Sequence, residues 1–128
     1  MSIEISTRGV GISINNFNDK EFIEIDIYGK LEHKDYEVMA PVIERAVESA
    51  GERGLVALAD MRDFEGWSIE AAIDDMKLGM QIKDSFEKFA VVGDKKWEEI
   101  SVSLMNRLCK GEMRYFEDYD KALSWLMG

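Results

Sequence analysis

Two stretches near the N-terminus alternate between apolar and polar or small residues. One runs from Gly9 to Ile14; the other runs from Phe22 to Leu31, where Phe22, Ile23, Ile25, Ile27 and Leu31 carry the pattern. A period of two marks a strand with one covered face. Between them lies Asn15-Asn16-Phe17-Asn18-Asp19-Lys20, rich in turn formers, so an antiparallel hairpin is predicted. The period then lengthens. Tyr36, Met39, Ala40, Ile43, Val47 and Ala50 recur at helical spacing, with Gly51 and Gly54 just beyond. Pro41, the only proline, falls inside this helix and removes one backbone hydrogen bond, so a bend or a loose first turn is expected.

Leu55-Val56-Ala57-Leu58-Ala59 is a continuous apolar run, as expected of a strand covered on both faces. The ten residues Ala59 to Ser68 read as a loop, and Ser68 as the cap of a helix from Ile69 to about Phe86. Phe89 to Val92 forms another buried strand. Gly93-Asp94 then turns into a helix of about Lys95 to Cys109, capped by Asp94. Met113 to Phe116 is a short last strand, and Asp118 caps a final helix through Leu126. The order β-β-α-β-α-β-α-β-α defines the α/β class: a mixed, mostly parallel sheet of about five strands flanked by four helices, the N-terminal strand antiparallel. No linker or repeat divides residues 1–128, which read as a single domain.

The helix from Ile69 carries more apolar surface than a sheet can cover. At about 100° per residue, Ile69, Ala72, Ile73, Met76 and Met80 form one stripe. Ala71, Leu78, Ile82 and Phe86 form a second, roughly opposite. A helix lying on a sheet needs only one. The other calls for a neighbouring helix, a second subunit, a lipophilic ligand or a membrane surface. Covering two or three such side chains contributes about 4–8 kcal/mol. Phe64, Trp67, Met76, Leu78, Met80, Ile82 and Phe86 are therefore the candidate lining of a hydrophobic groove or docking face, with Phe64 and Trp67 as hinge-side anchors. Methionine suits an adaptable contact, and the chain has eight.

Charge narrows the partners. A formal net charge of −10 repels phosphate backbones, which argues against nucleic acid. Basic clusters for anionic lipid are missing too, so any membrane contact would be hydrophobic and weak. The single cysteine, Cys109, cannot form an internal disulfide and is far in sequence from His33, the only histidine; it reads as a structural thiol. The segment MSIEIST is too polar for a leader, and no apolar run approaches the ~18 residues of a membrane span. The expected location is cytoplasmic, with peripheral membrane contact as an option.

Candidate chemistry is sparse. Asp60 and Asp63 flank Arg62 at the carboxyl end of a buried strand, where α/β sheets place ligands. Acid–base work needs a raised pKa, and Arg62 favours the ionised forms instead. The trio reads as a brace for the loop, with Phe64 and Trp67 packed down. Gly93-Asp94-Lys95-Lys96 is an incomplete phosphate loop, with an acid where the anion would sit. His33 marks the start of the first helix. Asp74-Asp75 and Glu98-Glu99 are adjacent pairs that diverge by about 100° and read as solvated charge. Ser68 is a candidate phosphorylation site, although Asp63, Glu65 and Glu70 surround it with like charge. No catalytic residue, metal site or cofactor is predicted.

Four blocks carry a family resemblance: Gly29-Lys30-Leu31 leading into Asp35-Tyr36, Ala59 through Trp67, Ala90 through Trp97, and Arg114-Tyr115-Phe116 before Ala122 and Trp125-Leu126. From about Gly9 to Leu126 the chain resembles the SpoIIAA-like proteins of the STAS superfamily, whose fold is close to the lipid-binding CRAL-TRIO domain. The resemblance implies a small mixed sheet flanked by helices. It also implies either anti-sigma-factor antagonism through a phosphorylated serine or the binding of a lipophilic molecule between sheet and helices. The antagonists' Asp-Ser-Ser/Thr-Gly type of motif is replaced here by Phe64-Glu65-Gly66-Trp67-Ser68. The leading expectation is a non-enzymatic binding domain. Helix 69–86 would be a movable cover over a site for a lipophilic small molecule, or would dock transiently at a membrane. The alternative is a protein-interaction regulator of the antagonist type, acting as a homodimer or through a partner protein.

Overall fold

The computed structural model describes residues 3–6, 9–17 and 19–128. Strand β1 (Ile3–Ser6) lies at one edge, followed by β2 (Val10–Phe17) and β3 (Lys20–Leu31). Then come α1 (His33–Ala50), β4 (Leu55–Trp67), α2 (Ile69–Ile82), β5 (Lys88–Val92), α3 (Lys96–Asn106), β6 (Glu112–Phe116) and α4 (Tyr119–Met127). The six strands lie side by side in chain order. β1, β2 and β3 pair antiparallel, while β3 through β6 pair parallel. This is the mixed sheet with four helices that the alternating pattern predicts, extended by the edge strand β1.

One face carries α1 and α2 over Val10, Ile12, Ile23, Ile25, Ile27 and Ala57. The opposite face packs Phe22, Val56, Leu58, Ala90 and Val92 against Ala122 and Leu126 of α4. Alternate strand residues supply the two faces, so the continuous run Leu55 to Ala59 is buried throughout. α1 continues through Pro41, its buried stripe of Tyr36, Met39, Ile43, Ala46 and Ala50 facing the sheet.

Several boundaries differ from expectation. The hairpin turn is tighter: β2 extends to Phe17, which pairs with Lys20. Asp19 takes up the left-handed conformation (φ 66°) that a tight turn requires, and Asn18 lies outside the described residues. The largest correction concerns Ala59 to Trp67, which is strand rather than loop. β4 pairs with β3 as far as Trp67 opposite Leu31, with two register shifts on the way. Each shift sets extra residues of β4 against β3 and breaks the period-two signal. Gly66, at φ +116°, supplies backbone that an L side chain rarely adopts.

α2 ends at Ile82, a turn earlier than expected, and Phe86 follows in the connection while remaining buried. Ser68 caps α2 as expected, its Oγ accepting from the Ala71 amide at 3.1 Å. Asp118 caps α4 in the same way. Asp94 does not cap α3: Lys95 occupies that position, the helix stops at Asn106, and Cys109 lies beyond it.

Candidate functional site

α2 touches α1 extensively and the sheet only sparingly. A cavity of about 270 Å³ opens beneath it, walled by α1, the faces of β3 to β6 and α3. That is close to the lower end of small-molecule pockets, roughly 300–1,000 Å³. Its walls are overwhelmingly apolar: Ile25 and Ile27 on β3, Phe89 and Val91 on β5, Val102 and Met105 on α3. Six of the eight methionines line it, namely Met39, Met61, Met76, Met80, Met105 and Met113. Unbranched thioether chains let such a wall repack around different shapes.

The two stripes of α2 part as the helical wheel requires. Ala71, Leu78, Ile82 and the following Phe86 are buried. Ile69 is 84% exposed and Met76 70%, with Ile73 and Met80 about half exposed on the same side. α3 carries exposed apolar residues of its own, Trp97, Ile100 and Leu104, with Leu108 in the turn beyond it; of these Trp97 lines the groove. Met76 and Met80 of α2 and Trp97 of α3 thus rim the groove with exposed apolar side chains, and the further exposed residues of both helices add apolar surface that soluble proteins rarely leave bare.

Of the seven residues singled out by sequence, Trp67, Met76, Leu78, Met80, Ile82 and Phe86 line the groove. Phe64 does not; it is fully buried beneath Trp67, their rings edge-on at 4.7 Å. Trp97 completes an aromatic group, 5.5 Å from Trp67. Phe86 and Phe89 make a T-shaped pair at 5.0 Å.

Polar groups gather where the parallel strands end. The Trp67 Nε1 donates to the Tyr36 hydroxyl at 3.0 Å, and that hydroxyl donates to Asp75 Oδ1 at 2.7 Å. Asp75 is an exposed residue by surface area, yet it lines the groove and neighbouring protein crowds its carboxyl. This desolvation pushes its carboxyl above the usual range, against the opposing Tyr36 hydrogen bond. Burial, and then the Asp75 charge, likewise push the Tyr36 phenol up. Beside Trp97, Glu98 is only 2% exposed. Its Oε1 accepts from the Tyr115 hydroxyl at 2.7 Å, and Oε2 has no partner. Gly93 permits this approach, because a Cβ there would meet Glu98 Oε1 at 2.2 Å and the Tyr115 oxygen at 2.4 Å.

The acidic pairs are only partly solvated charge: Asp75 and Glu99 are exposed, Asp74 is half-buried and Glu98 is buried. Asp74 and Asp75 both bind α1, through His33 and Tyr36. Glu98 turns inward while its neighbour Glu99 pairs with Lys96 at the surface. Adjacent helical positions face different ways, so a pair can divide between core and solvent. Tyr36, Asp75 and Glu98 are the polar groove residues that sequence reasoning missed; their partners lie on other elements, and only the packing reveals them.

The Asp60–Arg62–Asp63 trio braces more narrowly than expected. Arg62 holds Asp60 through two side-chain bonds of 2.9 and 2.6 Å, and Asp63 adds charge nearby. These groups lie with α4, where Arg62 sits over the Tyr119 ring and Tyr119 donates to Glu24. Cys109 lines the groove, its thiol pushed up first by burial and then by the Asp84 charge. Lys83, the groove's lysine, already binds Asp84 and the Leu108 carbonyl. Among the described residues, no cluster of three metal-ligating side chains occurs, and no helix is long and apolar enough to cross a membrane.

Comparison with known proteins places this geometry among relatives. The SpoIIAA-like family model matches residues 22–127. A crystal structure from Shewanella loihica PV-4, described as an uncharacterised protein of the DUF3478 family with a SpoIIAA-like fold, is 35% identical. That match covers 97% of this chain and 98% of the other, with a TM-score of 0.79. The anti-sigma factor antagonist SpoIIAA in its unphosphorylated form aligns over 91% of this chain and 98% of its own, with a TM-score of 0.59. At 9% identity it shares the fold alone. Among curated proteins, none matches the sequence at a significant level.

Proposed function

The chain belongs to the SpoIIAA-like family, and from that premise we propose that it is a non-enzymatic binding domain whose groove takes a lipophilic molecule beneath α2. The carrying observation is the cavity of about 270 Å³ under a helix held mainly by its neighbour α1. α2 can lift from the sheet at low cost, because its sheet contacts are few while Asp74–His33 and Asp75–Tyr36 keep it tethered. Trp67 and Phe64 anchor the N-terminal side of the cover. The exposed rows on α2 and α3 let an apolar ligand enter without crossing a polar rim, at a membrane surface or from a carrier.

Nile red, a neutral lipophile whose emission rises in apolar surroundings, provides the test. One molecule is expected to bind per chain, and Met105→Trp, which fills the groove, is expected to weaken binding by about tenfold or more, the loss of some 1.4 kcal/mol. Equal binding by a folded Met105→Trp protein would defeat the reading. Leu78→Glu with Ile82→Glu is a poor probe, since both residues are buried.

A second reading rests on the same rims. Ile69, Ile73, Met76 and Trp97 offer an apolar face for a protein partner or a second copy, and the SpoIIAA structure belongs to an anti-sigma factor antagonist. Under this reading, Ser68 at the α2 N-terminus is the candidate modification site. Sedimentation of the native chain and of Ile73→Glu separates the two: a dimer lost in the variant, with Nile red binding kept, favours protein docking.

A further inference from the structure

Resting on the groove reading, we infer that the ligand is a lipophilic amine, its tail under α2 and its protonated nitrogen at the Asp75 end. The groove is chemically polarised. At the carboxyl end of the parallel strands it presents Asp75 and Glu98 with the rings of Tyr36, Trp67 and Trp97. Among the described residues, neither carboxylate has a cation within ion-pairing distance; the ion pairs formed use other acids. Lys95 turns its Nζ toward the Phe64 carbonyl and Asp94 instead.

Tyr36 donates to Asp75 Oδ1 and is itself held by Trp67, and the second carboxylate oxygen remains for a ligand. Glu98, at 2% exposure with Oε2 unpartnered, sets a second carboxyl acceptor in the same wall. A cationic head answers both groups, and it also gains from the aromatic faces. A carboxylate head would meet two carboxyl groups in place of a cation, and Lys83 at the far end is already engaged by Asp84 and Leu108. The distance available between the ends follows from β5, whose five residues span roughly 16 Å; a medium-length alkyl chain fits along it.

The experiment titrates the native chain with decylamine, decanol and decanoate near neutral pH, following tryptophan emission and heat. Decylamine is expected to bind about tenfold tighter than decanol, as for one charge-assisted hydrogen bond, with decanoate weakest. Asp75→Asn is expected to bring the amine within about twofold of decanol, while decanol affinity holds. Glu98→Gln tests the buried carboxyl in the same way. Glu44→Gln changes net charge identically on the exposed side of α1 and is expected to keep the amine preference. Decanoate binding as tightly as decylamine overturns the inference, as does an equal loss of preference in Glu44→Gln and Asp75→Asn. If Nile red and decanol bind with no amine preference, the head-group inference alone falls. If nothing binds, the groove reading falls with it.

Discussion

His33 Nδ1 lies 2.6 Å from Asp74 Oδ2, joining the first turn of α1 to the second turn of α2. Glu70 on α2 and Glu37 on α1 face the same imidazole at 3.8 and 3.2 Å. The hydrogen bond to Asp74, then its charge, raises the histidine pKa above its ordinary 6.5. A raised value means the folded state favours the proton. The tether is therefore fully present below the unfolded pKa and is lost as pH rises through the folded one. Hydrogen exchange of the α2 amides, corrected for intrinsic rates, is expected to speed up as pH rises past the ordinary histidine value of 6.5. In His33→Ala that pH step should vanish. A step that survives the substitution assigns it elsewhere.

Asp26 gives a second pH effect, on the opposite face. Burial, then the hydrogen bond and charge of Glu24, then Asp60, push its carboxyl up to about 7, against Arg62. Its Oδ1 is buried without a partner. The sign again favours the protonated form: stability is greatest below the unfolded value of 3.8 and declines as pH rises toward 7. Asp26→Asn is expected to raise the melting temperature at about pH 8 and to leave it unchanged near pH 4. A variant less stable at both would show that the carboxylate is needed.

The two sides of α2 should respond unequally to truncation. Leu78→Ala removes a buried side chain and is expected to cost about 2–4 kcal/mol. Met76→Ser, on the exposed stripe, should stay within about 0.5 kcal/mol. Urea denaturation measures both; equal costs would contradict the assignment of faces.

Ser68→Ala removes the oxygen that accepts from the Ala71 amide, and a loss of about 1 kcal/mol is expected. Ser68→Asp keeps an acceptor at a helix N-terminus and should recover most of it. If the alanine variant melts with the native chain, the cap is not stabilising.

Much of this architecture is legible along the chain. Apolar runs such as Leu55 to Ala59 declare buried strands, and caps at Ser68 and Asp118 sit where side-chain chemistry puts them. The doubled stripe of α2 is readable because helical period separates Leu78 from Met76. What hid was whatever depends on a distant partner. β4 runs on to Trp67 because β3 lies beside it, and its register shifts scramble the alternation of Ala59 to Trp67. Tyr36 looked like core until Asp75 and Trp67 met its hydroxyl. Glu98 looked like surface because an acid seldom enters a core, and only the Tyr115 hydroxyl explains its place.

The groove itself is tested most directly by its methionines. With methyl-13C methionine, a titration of decanol is followed at each assigned methyl resonance. Met39, Met61, Met105 and Met113, with Met76 and Met80 at the rim, are expected to shift together and saturate at one ligand per chain, while Met127 on α4 stays still. Shifts of Met127 equal to those of Met105, or no saturation at all, would contradict a groove beneath α2.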